Sequence, residues 1–489
     1  MRKSVMLVGE GNYPFMGGGV STWCHSICTE VSEVDFSILS FTADVSLPIY
    51  ELPKNVISVK QVPLWSVEEP IELLRYNEKY FDRVLKKERT KSSVVRNQFI
   101  PLFDQFIKAI FSKEEDTEYL LELLIQLYTY FKKYDYKDSM YSIEVWDHYK
   151  GVVGNVAEDD TYISKVKISD IVTSLRWIYR FLLPITVDLD KTDINHVTIS
   201  GFPFLPVIIA KHKYKTPIVL TEHGVFMRER LINLSASPMS YFLKSFLINF
   251  SELVTKMAYK SADVVVSVNT YNLKWAQMYG ADPKKCKVIY NGVDENKFVP
   301  KPKPLKHKDT KVVVAAARIF ELKDILTMIR SCAEVKKEIP NVKYIVYGNK
   351  DAVPEYTTKC EELIIELELE EYFILAGLNT DPPSIFVEGD ISILTSISEG
   401  FPYTIIESMS CGVPVVATDV GGVKEAIDDG VDGFVCKPKD YKAIAEKVII
   451  LLKNEDLRKE MAQKSREKVV NNFTIEVVRK AYSELYKSL

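Results

Sequence analysis

Short runs of β-branched and aliphatic residues, each closed by glycine or polar punctuation and followed by apolar positions at helical spacing, recur along two stretches of the chain. The first stretch predicts a strand over 4–8, a loop at Gly17, Gly18 and Gly19, and a helix through Ser21, Trp23, Ile27 and Val31. Further strands are predicted over 36–41 and 56–59. After a gap the rhythm resumes, with strands over 194–199, 218–221 and 264–268 and helices over 206–211 and 242–259. The second stretch predicts strands over 312–316, 344–347, 373–375, 391–394 and 415–417, with helices over 324–338, 356–367 and 404–410. Strands this apolar along their whole length are buried on both faces. That pattern belongs to parallel sheets covered by helices.

The fold class expected is therefore α/β, with two Rossmann-like doubly wound domains facing a cleft. The first domain is placed at 1–300 and the second at 309–470, joined by a Lys- and Pro-rich linker over 296–308. An amphipathic helix over 475–489 lies within a tail, 471–489, expected to pack back on the first domain. One segment breaks the rhythm. From about residue 64 to 183 the chain is rich in charge and aromatics at helical spacing, as in Tyr119, Leu120, Leu123, Leu124, Leu127, Tyr128 and Phe131. This reads as a helical insertion in the first domain, a docking or lid element without catalytic spacing.

Composition narrows the class. Of 489 residues, 47% are hydrophobic and 27% charged, the balance of a globular chain. The net charge of −4 gives no basic surplus, so no nucleic-acid partner is expected. No apolar run reaches the roughly 18 residues of a membrane span, and the short apolar start meets Glu10 and Gly11 at once. A cytoplasmic chain is expected, peripheral at the inner face of the membrane. The seven cysteines form no CxxC pair, and Cys24 and Cys28 read as buried thiols in a reducing compartment.

The segment from Glu399 to Gly422, EGFPYTIIESMSCGVPVVATDVGG, carries the most chemistry. Glu399 falls in the loop after a predicted strand, and Glu407 lies about one turn into the next helix. The helix start from Phe401 to Thr404 offers free backbone N–H groups and the positive dipole end, which suit a diphosphate. A carboxylate on that helix can accept the vicinal hydroxyls of a ribose. Spacing alone favours two solvated glutamates on a surface helix. Arg318 and Lys323 follow a strand end, where they fit a diphosphate clamp or an exposed basic pair. The glycines at 17–19 open a helix, so they serve either a close ligand approach or a tight turn. They lack the spacing of a dinucleotide fingerprint. His223 ends a strand in Thr221-Glu222-His223-Gly224, and Arg228 and Arg230 follow. His196 reads as a satisfied core histidine.

Arg318 with Lys323, Glu399 with Glu407, and GVPVVATDVGGVKEAI together resemble the retaining GT-B glycosyltransferases of family GT4. The resemblance spans the second domain. It implies that Arg318 and Lys323 hold the donor pyrophosphate, that Glu407 binds the ribose, and that Glu399 contacts the donor sugar. In the first domain, EGNYPFMGGGVSTW and TEHGVFMRERLINL are similar to the PelF-type branch. That likeness implies an exopolysaccharide enzyme working with membrane-embedded secretion partners, and sets His223 beside the donor sugar.

The expected function is transfer of a hexose, best glucose, from a UDP-sugar to a glycan acceptor with retention, as a hexosyltransferase. Catalytic roles fall to His223, Arg318, Lys323 and Glu399. Donor binding adds Gly18, Gly19, Gly400, Phe401, Pro402, Thr404 and Glu407, and acceptor binding takes Arg228 and Arg230. No cofactor and no metal are expected. The competing readings are a non-catalytic nucleotide-sugar-binding protein and a GT-B-fold UDP-sugar epimerase. One feature favours a metal: Asp188-Leu189-Asp190 has the DxD form by which GT-A enzymes hold Mg²⁺ or Mn²⁺. It precedes a strand instead of following one, which sets it on the amino-terminal side of the sheet.

Overall fold

The computed structural model describes residues 2–66, 69–74, 78–159 and 165–489, side chains at 157–159 excepted. The chain divides into two compact units. The first comprises Met1–Ser267, Leu273–Lys287 and Leu485–Leu489, and the second Val268–Asn272 and Val288–Glu484.

The first unit is built on seven strands: β1 (Lys3–Glu10), β2 (Val34–Thr42), β3 (Val56–Pro63), β4 (Ile194–Val197), β5 (Ile218–Glu222), β6 (Val264–Ser267) and β7 (Cys286–Val288). Their order across the sheet is β3-β2-β1-β4-β5-β6-β7. β1 pairs in parallel with β2 on one side and β4 on the other. The order thus reverses at β1 and β4, and ligands of such sheets bind beyond the carboxyl ends of the strands at that point. Val5, Phe36, Ile194 and Val219 are wholly buried, as continuous β-branched runs require.

The helical segment between β3 and β4 is no separable lid. Its helices Ile100–Ser112, Thr117–Lys133 and Ile168–Leu182 share one core with the sheet. Phe106 meets Phe250 at 5.6 Å between ring centroids, and Phe181 stacks on Phe202 at 4.0 Å. Arg180 donates to the Leu64 carbonyl at 2.8 Å, tying the segment's far end to its start. The apolar stripe read as a docking face therefore covers the helix Tyr241–Ser261. Residues 67–68, 75–77 and 160–164 of the predicted insertion lie outside the described residues.

The second unit has six strands: β8 (Lys311–Ala316), β9 (Val342–Tyr347), β10 (Phe373–Gly377), β11 (Ile391–Leu394), β12 (Val415–Thr418) and β13 (Gly433–Cys436). Their order is β10-β9-β8-β11-β12-β13, with parallel pairings throughout. Here the reversal falls between β8 and β11. The unit starts earlier than the linker composition suggested. Asn291 donates to the Phe401 carbonyl, Val293 bridges to Thr474, and Arg466 holds the Phe298 carbonyl at 3.0 Å. These bonds anchor residues 288–300 to the second unit. The terminal helix Ile475–Ser488 has only its end, from Leu485, in the first unit. There the Tyr486 hydroxyl lies 2.7 Å from His196 Nδ1, and Lys3 donates to the Tyr486 carbonyl.

Candidate active site

In the second unit, the residues singled out by the motif follow the two strands at the reversal. After β8 the chain presses so close to Gly348 that a Cβ there would stand 1.8 Å from the Ala317 carbonyl oxygen. Arg318 follows, exposed, its guanidinium 4.8 Å from the Phe320 ring. A 3₁₀ turn over Glu321–Lys323 then presents Lys323, and Asp324 caps the helix Ile325–Glu338. After β11 comes Thr395, whose hydroxyl donates to the carbonyls of Lys323 and Asp324 at 3.0 Å each. The loops after β8 and β11 are thereby locked together.

That lock joins Lys323 to Glu399. The ammonium reaches Glu399 Oε1 at 2.5 Å, and the Ser396 hydroxyl donates to the same oxygen at 2.5 Å. The two side chains are only 21% and 10% exposed, so their attraction is poorly screened. Lys323 is thus held by Glu399 instead of standing beside Arg318 as half of a free clamp. An ammonium has three protons, so this pairing leaves others for a phosphate.

Gly400 and Phe401 carry the chain to the next helix. Gly422 donates to the Gly400 carbonyl at 2.8 Å. Gly421, at φ 54°, packs where a Cβ would come within 2.0 Å of the Glu399 carbonyl oxygen. The left-handed φ and the close approach both demand glycine. Phe401 is buried between the rings of Tyr290 and Phe473, and its carbonyl accepts from Asn291 at 2.7 Å. The helix Tyr403–Ser410 follows with Pro402 at its cap and no side-chain cap bond. The N–H of half-buried Thr404 lies in this first turn, where no carbonyl of the helix can accept it, and suits an anion. Glu407 sits one turn in. Burial pushes its carboxyl up to about 7, against the pull of Lys297.

In the first unit, Gly18 and Gly19 open the helix Gly19–Glu30 after β1. Gly18 adopts φ 147°, and no side chain caps the helix. The Trp23 ring of that helix meets His223, which follows β5, edge-on at 4.6 Å. His223 Nε2 is buried without a hydrogen-bond partner among the described residues. Burial pushes the imidazole down to about 3, so it is neutral at physiological pH. Arg230 lies over the Phe226 ring at 5.1 Å, with Glu10 as its electrostatic partner. Arg228 is half-buried nearby on the same helix, Phe226–Ala236. His196 is wholly buried and satisfied on both ring nitrogens, by Tyr486 and Thr221 at 2.7 Å each.

Sequence reasoning passed over four residues that shape this site: Asn291, Thr395, Ser396 and Glu425. Glu425 accepts from the Thr270 backbone at 2.9 Å and from the Tyr290 hydroxyl at 3.0 Å. A buried hydroxyl or amide has no periodic signature. The available hint was polar residues directly after an apolar strand, as in Thr395-Ser396.

Residues 3–284, more than half the chain, match a family model described as Domain of unknown function (DUF3492). The chain belongs to the DUF3492 family. In this DUF3492 protein, residues 297–468 match a second model, Glycosyl transferases group 1, which contains the whole Lys323–Glu399–Glu407 constellation. Among curated relatives, the N-acetyl-alpha-D-glucosaminyl L-malate synthase of Bacillus anthracis is 25% identical over 46% of the chain and 60% of that enzyme. The N-acetylgalactosamine-N,N'-diacetylbacillosaminyl-diphospho-undecaprenol 4-alpha-N-acetylgalactosaminyltransferase of Campylobacter jejuni is 27% identical over 52% of the chain and 69% of that enzyme. The DUF3492 chain thus spans under two thirds of the first relative's length. Its fold matches Anabaena Alr3699/HepE, solved in complex with UDP-glucose, over the full length of both chains with TM-score 0.60 at 15% identity. The architecture is the GT-B fold.

Four buried groups give the DUF3492 protein a specific pH response. Glu222 and Glu407 are raised from 4.5 to about 7, so between those values each binds more proton folded than unfolded. Their contributions are full below the lower value and are lost as pH rises through the upper. His196 and His223 are lowered from 6.5 to about 3, so their contributions are full above 6.5 and are lost as pH falls. The two pairs offset one another between 4.5 and 6.5. The melting temperature should be nearly level there and should drop below it. A His223→Gln variant should show a shallower acid-side drop in calorimetry.

Proposed function

We propose that this protein is a retaining glycosyltransferase that moves a hexose, best read as glucose, from a UDP-sugar to a glycan acceptor in exopolysaccharide synthesis. One observation carries the reading. At the carboxyl ends of β8 and β11, Lys323, Glu399 and Ser396 are bonded together ahead of an uncapped helix start, with Glu407 one turn further on. Cation, carboxylates and free N–H groups meet there in the combination a sugar diphosphate requires.

In this mechanism Arg318, Lys323 and the N–H groups near Thr404 stabilise the diphosphate as it leaves. Glu407 accepts the ribose hydroxyls. Glu399, with Gly400, Phe401 and Pro402 shaping its loop, receives hydroxyls of the donor sugar. His223 takes the donor-sugar role that the family likeness implies, Gly18 and Gly19 let the backbone approach the donor closely, and Arg228 and Arg230 are assigned to the acceptor. The anomeric C–O bond to the phosphate breaks. The acceptor oxygen bonds to the same face of that carbon, and its proton passes to the departing phosphate oxygen. UDP leaves; because the acceptor itself attacks on the face UDP departs from, Glu399 positions the sugar and forms no covalent intermediate.

The PelF-type branch and a membrane-embedded secretion partner belong to the same proposal. Among the described residues no helix is long and apolar enough to cross a membrane, so such a partner would supply the anchor. Screening UDP-sugars by thermal shift tests the donor class: a bound donor raises the melting temperature. No shift with any UDP-sugar or with UDP would overturn the reading.

Metal independence is also proposed. Asp188 forms an ion pair with Lys132 at 2.5 Å and stands ahead of β4, before the strand whose far end would face a ligand. Arg318, the remaining ammonium protons of Lys323 and a helix start offer the positive charge a diphosphate needs. UDP formation should survive excess EDTA, and the Asp188→Asn/Asp190→Asn variant should keep wild-type turnover. Loss on chelation with recovery in Mn²⁺ would refute this.

A further inference from the structure

We propose that Ser396 is the positioning residue that sets Glu399 for the donor sugar. This rests on the glycosyl-transfer reading above and adds a residue to it.

Ser396 is wholly buried one residue beyond Thr395, at the carboxyl end of β11. Its backbone is fixed independently of its side chain: the Thr418 hydroxyl donates to the Ser396 carbonyl at 2.6 Å. The hydroxyl itself points to Glu399 Oε1, at 2.5 Å. Lys323 donates to that same oxygen at 2.5 Å. One carboxylate oxygen therefore receives two donors, one charged and one neutral, arriving from β11 and from the loop after β8. Two fixed donors on one oxygen define the carboxylate's rotation, and Oε2 is the oxygen left to accept sugar hydroxyls.

The arrangement also divides labour between neighbours. Thr395 ties the backbone that carries Lys323. Ser396 ties the side chain that Lys323 pairs with. Without the Ser396 hydroxyl, Lys323 alone would hold Glu399. A flexible ammonium at the end of four methylenes orients a carboxylate poorly. The cost should then appear where orientation matters, in the transition state, and only weakly in nucleotide binding.

The test compares wild type, Ser396→Ala, Ser396→Thr and Glu399→Gln, each full length, with UDP-glucose as donor probe and the best UDP-sugar of the thermal-shift panel beside it. UDP formation gives kcat and KM, and calorimetry gives the affinity for UDP alone. Ser396→Ala should lower kcat on the order of tenfold, the scale of one hydrogen bond to a charged group, with UDP affinity unchanged. Ser396→Thr, which keeps the hydroxyl, should recover most of the rate. In the Glu399→Gln background, Ser396→Ala should cost little more, because the two act through one group. If Ser396→Ala turns over within twofold of wild type, or loses UDP affinity and kcat in equal measure, the assignment is overturned. Full additivity with Glu399→Gln also overturns it. A wild-type protein that forms UDP from no UDP-sugar would instead overturn the glycosyl-transfer reading itself.

Discussion

Lys323→Ala is expected to cut UDP formation from a UDP-sugar by roughly tenfold to over a hundredfold, the range spanned by a charge-assisted contact of about 1.5–3 kcal/mol realised in the transition state. The structure adds a reason to expect the upper part of that range. In the proposed mechanism Lys323 is a cation for the leaving diphosphate, and in the structure it also holds Glu399 Oε1. Removing it withdraws one charge and loosens another, leaving a 10%-exposed carboxylate with Ser396 as its remaining donor. The fold should persist at a lowered melting temperature, because the Thr395 hydroxyl still holds the carbonyls of Lys323 and Asp324 and the Ile397 N–H that of Leu322, while the carboxylate loses its cation. Arg318→Ala should show a smaller structural effect still, since its guanidinium is exposed over Phe320. Steady-state turnover beside thermal melting separates the two quantities. Near-wild-type turnover in Lys323→Ala would remove the residue from the mechanism.

Glu407→Ala should weaken binding of UDP by at least tenfold, whereas Glu399→Ala should leave UDP binding largely intact and damage transfer. The distinction follows from position. Glu407 projects from the first turns of the helix proposed to receive the diphosphate at its N-terminus, and Glu399 is engaged with Lys323 and Ser396 in the preceding loop. The carboxyl of Glu407, pushed up to about 7, also makes a prediction about pH. The ionised form accepts two hydroxyls without competing as a donor. UDP affinity should therefore climb as pH passes through about 7, and Glu407→Gln should remove that part of the climb. Calorimetry with UDP at several pH values decides both points. Equal loss of UDP affinity in the two alanine variants would show that the carboxylates do not divide ribose from sugar.

Much of the fold could be read from the chain because its strands are unmixed. Val312, Val313 and Val314 can be little else than the interior of a sheet, and they are wholly buried in β8. β13 escaped notice because Gly-Phe-Val-Cys is short and begins with glycine. The helix Glu455–Asn472 escaped because it is polar almost all round, burying Met461, Ser465 and Val469. The helical segment between β3 and β4 shows the limit of periodicity: it reveals an apolar face and says nothing about what covers it. Here the cover is the helix Tyr241–Ser261, reached by Phe106 and Phe181. In the candidate site, the charged residues stood out because their types suit a diphosphate sugar. Their partnership was not. Lys323 and Glu399 are 76 positions apart, and only the parallel adjacency of β8 and β11 brings them together. Ser396 and Asn291 act through single hydrogen bonds from buried positions, which leave no mark on spacing or charge.

Glycosyl transfer at this site is decided by UDP formation from a panel of UDP-sugars, UDP-glucose first, run in parallel with Lys323→Ala. UDP should accumulate with at least one donor, UDP-glucose should be among those accepted, and the variant, folded by its melting curve, should form UDP at least tenfold more slowly. A wild-type protein that is folded and yet releases UDP from none of them, or a Lys323→Ala variant that releases it as fast as wild type, would contradict glycosyl transfer at this site.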